Sequence, residues 1–214
     1  MNDTNLLIGS VYRCFKEASH AETLCNGQIW ISTLETCKHY EDLLQGDPEE
    51  AHLIYNTGSV NGGSEDRNFV EIAARAGIMI GPGCSNISIS DCTNTTRIPD
   101  GFVLCTTSLF DPATFKTFGE ACVEIREPRQ FFECVTRAMS IHHTITQAAF
   151  GSIIYQHREY TGLQSPPGPL GFVKPDRYSP QKEVRFLWLV ESRSTLQPFL
   201  LNVPEVASLC RRIS

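Results

Sequence analysis

Short runs of β-branched and aromatic residues recur along the chain and predict its strands. Such runs are typical of strands that are buried on one or both faces. They lie at residues 6–15, 28–32, 102–106, 121–125, 152–156, 183–190 and 198–203.

Segments with helical character separate these runs. A polar helix is predicted at 19–25, where Asn26-Gly27 provides a stop because both residues tolerate the left-handed conformation. The other predicted elements are helices at 36–44, 69–75 and 128–147, a helical turn at 111–115, a helix or strand at 50–55, a loop at 56–64, and a loop with a short strand within 78–96. Because helices and strands do not alternate regularly, the pattern favours an antiparallel or mixed α+β fold over a doubly wound sheet.

Length and composition suit one globular domain spanning 1–214. Hydrophobic residues make up 41% of the chain and charged residues 20%, which is ordinary for a packed domain. The formal charge of -6 argues against a broad basic surface for duplex nucleic acid, although it leaves room for a local anion pocket. No stretch reaches the ~18–20 consecutive apolar residues of a membrane helix. The first residues lack the basic residues that precede the apolar stretch of a signal peptide. We therefore expect a cytoplasmic protein without a membrane partner.

Nine cysteines occur without any C-x-x-C pair. Zinc ribbons and redox dithiols normally use that close spacing. Cys105, Cys122 and Cys134 lie inside apolar runs, where a thiol behaves as a small hydrophobic group. We therefore expect reduced, mostly buried cysteines.

A glutamate at the start of a late strand is the first candidate for chemistry. Gln181 and Glu183 follow the Pro/Gly-rich segment 161–179 and precede an apolar run. If both lie on a strand, side chains two apart point the same way and can face one pocket. Glu183 is then either a strand-end residue paired with Arg185, or a carboxylate that stabilises a cationic transition state.

Two earlier places offer polar side chains within apolar strands. Arg13, after Tyr12, presents donors that match phosphate or carboxylate if it is not simply exposed at a strand edge. Ser32 and Thr33 end the second strand just before a helix, where a hydroxyl is ordinarily an N-cap.

Together these residues resemble the Arg–Ser–Glu pattern of ADP-ribosyltransferases. The chain is also similar to an uncharacterised bacterial domain family that has Tyr-Arg near its start, a middle strand after Gly, and a late Lys…Trp/Tyr…Glu-x-Glu-x-Arg signature. The matching residues are Tyr12-Arg13, Gly119 with residues 120–125, Lys174, Tyr178, and Gln181 to Arg185. Gln181 stands where the second family has an acidic residue.

The resemblance implies a split mixed or antiparallel sheet flanked by helices, with NAD as co-substrate. It implies that Arg13 binds a phosphate or ribose, that Ser32 with Thr33 orders the ribose site, and that Glu183 stabilises the oxocarbenium ion. Gln181 would orient the acceptor, and Tyr12 and Tyr178 would contribute to cofactor or acceptor contacts. The acceptor would be a protein or a nucleic acid, or water in simple NAD hydrolysis, and the role would be that of a bacterial toxin, effector or phage-defence protein, possibly delivered into a target cell.

Two other classes of function stay open. The first is a non-catalytic binding or regulatory module on the same fold, and the second is a metal-dependent hydrolase using Glu35 and His39, although no third metal ligand is evident. An enzyme requires Arg13, Ser32 and Glu183 to converge around one cleft, whereas a binding module lets them scatter.

Overall fold

A computed structural model of the chain describes residues 8–39, 47–111, 119 and 121–213. The chain divides into two compact units. The first takes in residues up to Glu50, Pro99–Ile153 and residues from Tyr178 onward, and the second takes in Ala51–Ile98 and Ile154–Arg177. The prediction of one domain over residues 1–214 stays a prediction.

The described elements combine a few helices with mainly antiparallel sheets, which confirms the α+β class. The strands are β1 (Val11–Phe15), β2 (Gln28–Thr33), β3 (His52–Asn56), β4 (Ser59–Gly62), β5 (Ile87–Ser90), β6 (Thr93–Arg97), β7 (Phe102–Thr107), β8 (Ala121–Ile125), β9 (Ile145–Ser152), β10 (Ile154–Tyr155), β11 (Glu159–Thr161), β12 (Val173–Lys174), β13 (Glu183–Val190), β14 (Phe199–Asn202) and β15 (Cys210–Arg212). The helices are α1 (Ala18–Cys25), α2 (Leu34–Lys38), α3 (Arg67–Arg75) and α4 (Pro128–Ser140), with 3-10 helices at Asp176–Gln181 and Pro204–Leu209.

The first unit is built on an eight-stranded sheet in which all pairs are antiparallel. Its main path runs β14-β2-β7-β1-β8-β15, and β13 lies between β7 and β9. One edge of β7 pairs with β13 along its whole length. The other edge is divided, because β2 pairs with Phe102 and Val103 whereas β1 pairs only with Thr107. Among the described strands, none pairs with the middle of β7 on that side.

The two faces of this sheet carry different residues. On one face, which we call the core face, side chains of β1, β2, β7, β8 and β13 pack with α1 and α4. Burial of apolar surface here is the main stabilising contribution to the unit. The opposite side, the second face, carries the alternate side chains of the same strands, because successive residues of a strand point to opposite faces. It includes Tyr12, Cys14, Ser32, Cys105, Thr107, Cys122, Glu124, Glu183 and Arg185.

The predicted stop after α1 is confirmed. Asn26 is the C-cap, and Gly27 follows with a φ of 80°, which disfavours a side chain. A Cβ at Gly27 would also lie 2.6 Å from the carbonyl oxygen of Val203. Glycine is therefore required here both for its backbone conformation and for the close approach of the chain before the second 3-10 helix.

The longest predicted helix, 128–147, is shorter in the structure. α4 begins with Pro128 in its first turn, as expected for a helix start, and ends at Ser140. The prediction that the helix continues to 147 is wrong, because Ile145 begins β9 and pairs with β13. The local helical pattern gives way to the hydrogen bonds of the sheet, a common tertiary override of propensity.

Arg211 and Arg212 are exposed residues near the end of the described chain, and they are part of the sheet. Both residues belong to β15, which pairs with β8. Arg211 forms a 2.7 Å ion pair with Glu124, its partner in the strand register. β15 therefore completes an edge of the sheet.

The second unit is smaller and contains three short sheets. β3 pairs antiparallel with β6 and parallel with β11, β4 pairs with β5, and β10 pairs parallel with β12. α3 begins at its N-cap Asp66, whose side chain accepts hydrogen bonds from two backbone N–H groups. Phe69 and Ala73 of this helix pack with Ile89. The prediction of a loop at 56–64 is wrong over Ser59–Gly62, which form β4. β6 was not predicted as a separate strand.

Some predicted elements fall outside the described residues. These are the start of the first strand, the end of the helix predicted at 36–44, and most of the helical turn at 111–115. Within the described part, none of the helices has both the length and the apolar character needed to cross a membrane.

Candidate functional site

Glu183 and Arg185 form the centre of a buried ionic cluster on the second face. The Arg185 Nε donates to a carboxylate oxygen of Glu183 at 2.8 Å. The same guanidinium donates through its two terminal nitrogens to both carboxylate oxygens of Glu50, at 2.8 and 3.1 Å. The exposed fraction of the side chain is 1% for Arg185, 1% for Glu50 and 5% for Glu183. One arginine therefore holds two carboxylates, and the three side chains sum to one negative charge when ionised.

The strand pattern of β13 explains why these charges lie together. Val184, Phe186 and Trp188 pack in the core, so the residues between them point to the second face. Arg185 lies opposite Cys105 on β7 and Gly151 on β9. A glycine and a small thiol on the two neighbouring strands leave room for the guanidinium.

Electrostatics keep Arg185 charged. Burial by itself lowers the pKa of Arg185, but the charges of Glu183 and Glu50 outweigh that effect and raise its pKa well above the ordinary value. A buried arginine without these partners would pay the full cost of desolvation. The pairing with Arg185, one of the two interpretations of Glu183, is present in the structure, although both residues are buried rather than exposed.

Gln181 and Glu183 do not lie on one strand. Gln181 ends the 3-10 helix Asp176–Gln181, and Lys182 follows with a φ of 44° in the left-handed region. The expectation that their side chains point the same way as strand neighbours is therefore wrong. Tyr178 is buried within the same 3-10 helix.

Tyr12 and Arg13 lie on opposite faces of the sheet. Tyr12 pairs with Thr107 of β7, and Thr107 pairs with Glu183, so these three residues form one row across the second face. Arg13 pairs with Val123 and lies between Val11 and Phe15 in the alternation, which places it on the core face. Its guanidinium carbon is 5.5 Å from the centroid of the Phe15 ring. Arg13 and Glu183 therefore do not converge.

Ser32 lies on the second face and Thr33 on the core face. Thr33 is the N-cap of α2, and its hydroxyl accepts from the backbone N–H of Thr36 at 3.1 Å. This confirms the ordinary interpretation of a hydroxyl at the end of the second strand. Ser32 is 6% exposed, and its buried Oγ has no hydrogen-bond partner among the described residues. Such an atom costs free energy unless a water or a ligand satisfies it.

Strand spacing gives the size of the region that these residues span. Tyr12 and Glu183 lie two strands apart at the same level, which corresponds to about 10 Å between Cα atoms. Ser32 pairs with Val103, four residues along β7 from Thr107. Combining about 13 Å along the strands with about 10 Å across them puts Ser32 about 16 Å from Glu183. A single ligand that contacts both must be elongated.

Glu50 and a pair of cysteines are the parts of this region that sequence reasoning missed. Glu50 lies 135 residues from Arg185 in the chain, so no spacing rule connects them. Cys105, beside Arg185, shares a hydrogen bond with Cys37 of α2. That hydrogen bond, with burial and the charge of Glu183 adding to it, raises the pKa of Cys105 well above the usual thiol value. All nine cysteines lie in the described part of the chain as free thiols; four of them are buried, four are partly exposed, and Cys84 is exposed.

Glu35 lies in α2 and His39 is the C-cap of that helix, and both side chains are exposed. Glu35 accepts a hydrogen bond from Lys38 at 2.9 Å, and its other oxygen lies 3.1 Å from Nε2 of His39. The two contacts lower the pKa of Glu35. Across the described residues, no group of three His, Cys, Asp or Glu side chains is arranged to hold a metal ion.

The chain matches no known family model, no curated protein sequence and no solved structure.

Proposed function

We propose that the chain is an ADP-ribosyltransferase-like protein that uses NAD as co-substrate and transfers ADP-ribose to a protein or nucleic-acid acceptor. The observation that carries the proposal is the position of Glu183, a carboxylate held by Arg185 on the same sheet face as Tyr12 and Ser32. The divided edge of β7 supports a split sheet of the transferase type.

The chemistry needs a fixed negative group. When nicotinamide leaves NAD, the bond between its nitrogen and the ribose breaks and positive charge develops on the ribose ring. A preorganised carboxylate stabilises that charge without reorganising during the reaction. The hydrogen bond from Arg185 fixes the orientation of Glu183, and Glu50 offsets the positive charge of the guanidinium.

The size of the region supports a dinucleotide rather than a small ligand. Ser32 and Glu183 lie about 16 Å apart by strand spacing, so one compact sugar cannot contact both. An elongated molecule with two recognition ends can. The Oγ of Ser32, which has no hydrogen-bond partner among the described residues, supplies a hydrogen-bonding group for one end.

The role of Arg13 in this proposal changes. On the core face it does not contact a ligand that lies against Glu183, so another group must bind the phosphates of NAD. A second candidate function follows from the same observation: a binding or regulatory module that keeps the sheet without catalysis. Its support is the scatter of the motif: Arg13 lies on the core face, and Ser32 and Glu183 are about 16 Å apart on the second face.

The test is release of nicotinamide from NAD by the purified chain, with and without cell extract as a source of acceptor. Glu183→Gln should lower the rate roughly a hundredfold or more, because it removes a group that stabilises transition-state charge. Glu124→Gln is the matched control, since Glu124 lies on the same face and is also paired with an arginine. Its rate should stay near that of the wild type.

Each result has one meaning, provided that circular dichroism shows the variants to be folded. Loss of turnover in Glu183→Gln alone supports the enzyme. Binding of NAD without turnover supports the non-catalytic module. A wild-type protein that neither binds nor cleaves NAD overturns the enzyme and leaves only a module that binds another partner. Undiminished turnover in Glu183→Gln overturns the assignment of the carboxylate.

A further inference from the structure

Cys14 of β1 and Cys122 of β8 form a close thiol pair on the second face. They are direct partners in the antiparallel register. The Cys14 thiol donates to the Cys122 sulfur, and the two Sγ atoms are 3.4 Å apart. Cys14 is partly exposed, and Cys122 is buried.

The backbone places this pair where a cross-strand bond fits. The N–H of Ile213 donates to the carbonyl oxygen of Cys122 at 2.9 Å, so the backbone groups of Cys122 point towards β15 and away from β1. Cys14 and Cys122 are therefore a non-hydrogen-bonded pair, in which the Cα atoms lie about 4.5 Å apart and the side chains approach closely. Disulfides span Cα separations of about 4.4–6.8 Å. The two strands need not separate or shift register for the sulfurs to bond.

We propose that Cys14 and Cys122 are a thiol modification site, which a hydroperoxide oxidises to a reversible cross-strand disulfide. This inference does not depend on the proposed use of NAD. It assigns a function to two cysteines that packing alone does not require to face each other.

The chemistry balances with the hydroperoxide as the only oxidant. One sulfur takes an oxygen atom as the O–O bond breaks, which gives a sulfenic acid and releases an alcohol, or water from hydrogen peroxide. The second sulfur then attacks the sulfenic sulfur, the S–S bond forms, and water leaves. The two sulfurs lose two electrons in total, and both thiol protons end in the released alcohol and water.

The hydrogen bond within the pair favours this reaction. By donating to Cys122, Cys14 lowers the pKa of the Cys122 thiol, and the backbone N–H of Val123 adds to the effect against the opposing influence of burial. The same hydrogen bond, together with burial, raises the pKa of Cys14, so Cys122 is the more acidic thiol of the pair. Thiolate is the reactive form of cysteine. The exposure of Cys14 gives the oxidant access to one side of the pair.

The test is a peptide map of the folded full-length protein after treatment with hydrogen peroxide. Free thiols are alkylated in denaturant before digestion with trypsin. Cleavage at Arg13, Lys16, Lys116 and Arg126 gives peptides 14–16 and 117–126, each with one cysteine. We expect these two peptides to be linked, with a loss of two thiols from the nine and full recovery after dithiothreitol.

The variants separate this pair from the other cysteines. Cys14→Ser should abolish the linked peptide, whereas Cys84→Ser, which changes an exposed thiol elsewhere, should retain it. The proposal is overturned if Cys14 and Cys122 stay alkylated while Cys84 is oxidised, or if both go to sulfinic acid without a link. The map of the wild-type protein decides the matter even if Cys14→Ser fails to fold.

Discussion

Replacing Arg185 by methionine tests the energetic account of the buried cluster. The substitution keeps a long side chain but removes the charge and the three hydrogen bonds to Glu50 and Glu183. Both buried carboxylates then lose their ion pair with Arg185. Removing one partner of a buried ion pair costs about 3–5 kcal/mol, mainly because the remaining charge is desolvated and uncompensated.

The three side chains are 5% exposed or less, so screening by solvent does not reduce this figure substantially. With a urea dependence of about 2–3 kcal/mol per molar, the midpoint of unfolding should fall by about 1–2.5 M. Arg185→Lys should give an intermediate loss, because lysine keeps the charge but cannot reproduce the forked contact with Glu50.

Arg211→Met is the matched control. Arg211 pairs with Glu124 at 2.7 Å, a distance as short as those in the buried cluster, but its side chain is 63% exposed. Pairs with such exposure contribute about 0–1 kcal/mol. Urea unfolding followed by circular dichroism measures both variants. The reasoning is refuted if Arg185→Met shifts the midpoint no more than Arg211→Met does.

Three further predictions concern hydroxyls and a histidine of the first unit. Thr33→Ala should lower the free energy of unfolding, measured with urea, by about 1 kcal/mol because it removes the N-cap of α2. Thr33→Ser should retain most of the stability. Equal losses in the two variants would contradict the capping role. Ser32→Ala should leave the free energy of unfolding of the ligand-free protein unchanged or slightly higher, because Oγ is buried without a described partner. If that atom contacts the ligand, the same substitution should weaken NAD binding about tenfold in calorimetry. Burial, with a smaller effect of His142, lowers the pKa of His143, whose ring lies 4.7 Å from that of Phe102. The unfolded chain therefore takes up a proton first as the pH falls below about 6.5, so the free energy of unfolding should decrease on acidification. His143→Gln should weaken this pH dependence, measured by urea unfolding at several pH values. His142→Gln should largely keep it.

Local signals predicted the elements whose structure is decided locally. The Asn26-Gly27 stop and the apolar strands β2, β7, β8 and β13 were found because caps and burial patterns are written in adjacent residues. β4 and β6 were missed or assigned to loops, since their Ser, Thr and Asn residues carry little hydrophobic pattern and are strands through pairing with β5 and β3. Their identity depends on partners that are distant in the sequence.

The candidate site could be predicted only in part. Glu183 and Arg185 alternate with Val184, Phe186 and Trp188, so the sequence already indicates that they leave the core face. The same alternation applies to Arg13. Because alternate residues of a strand face the same side, Arg13 lies on the face of Val11 and Phe15, which is the core face. Glu50 carried no such signal, because its contact with Arg185 depends on tertiary structure alone.

The most direct test of the central claim is hydrogen–deuterium exchange of the wild-type protein with and without NAD. If NAD binds across the second face, exchange should slow in β1, at the end of β2 and at the start of β13, where Tyr12, Ser32 and Glu183 lie. Glu183→Gln, by keeping the shape of the side chain, should preserve most of that protection while turnover is lost. Unchanged exchange in all three segments, or protection confined to Ala51–Ile98 of the second unit, would contradict the account.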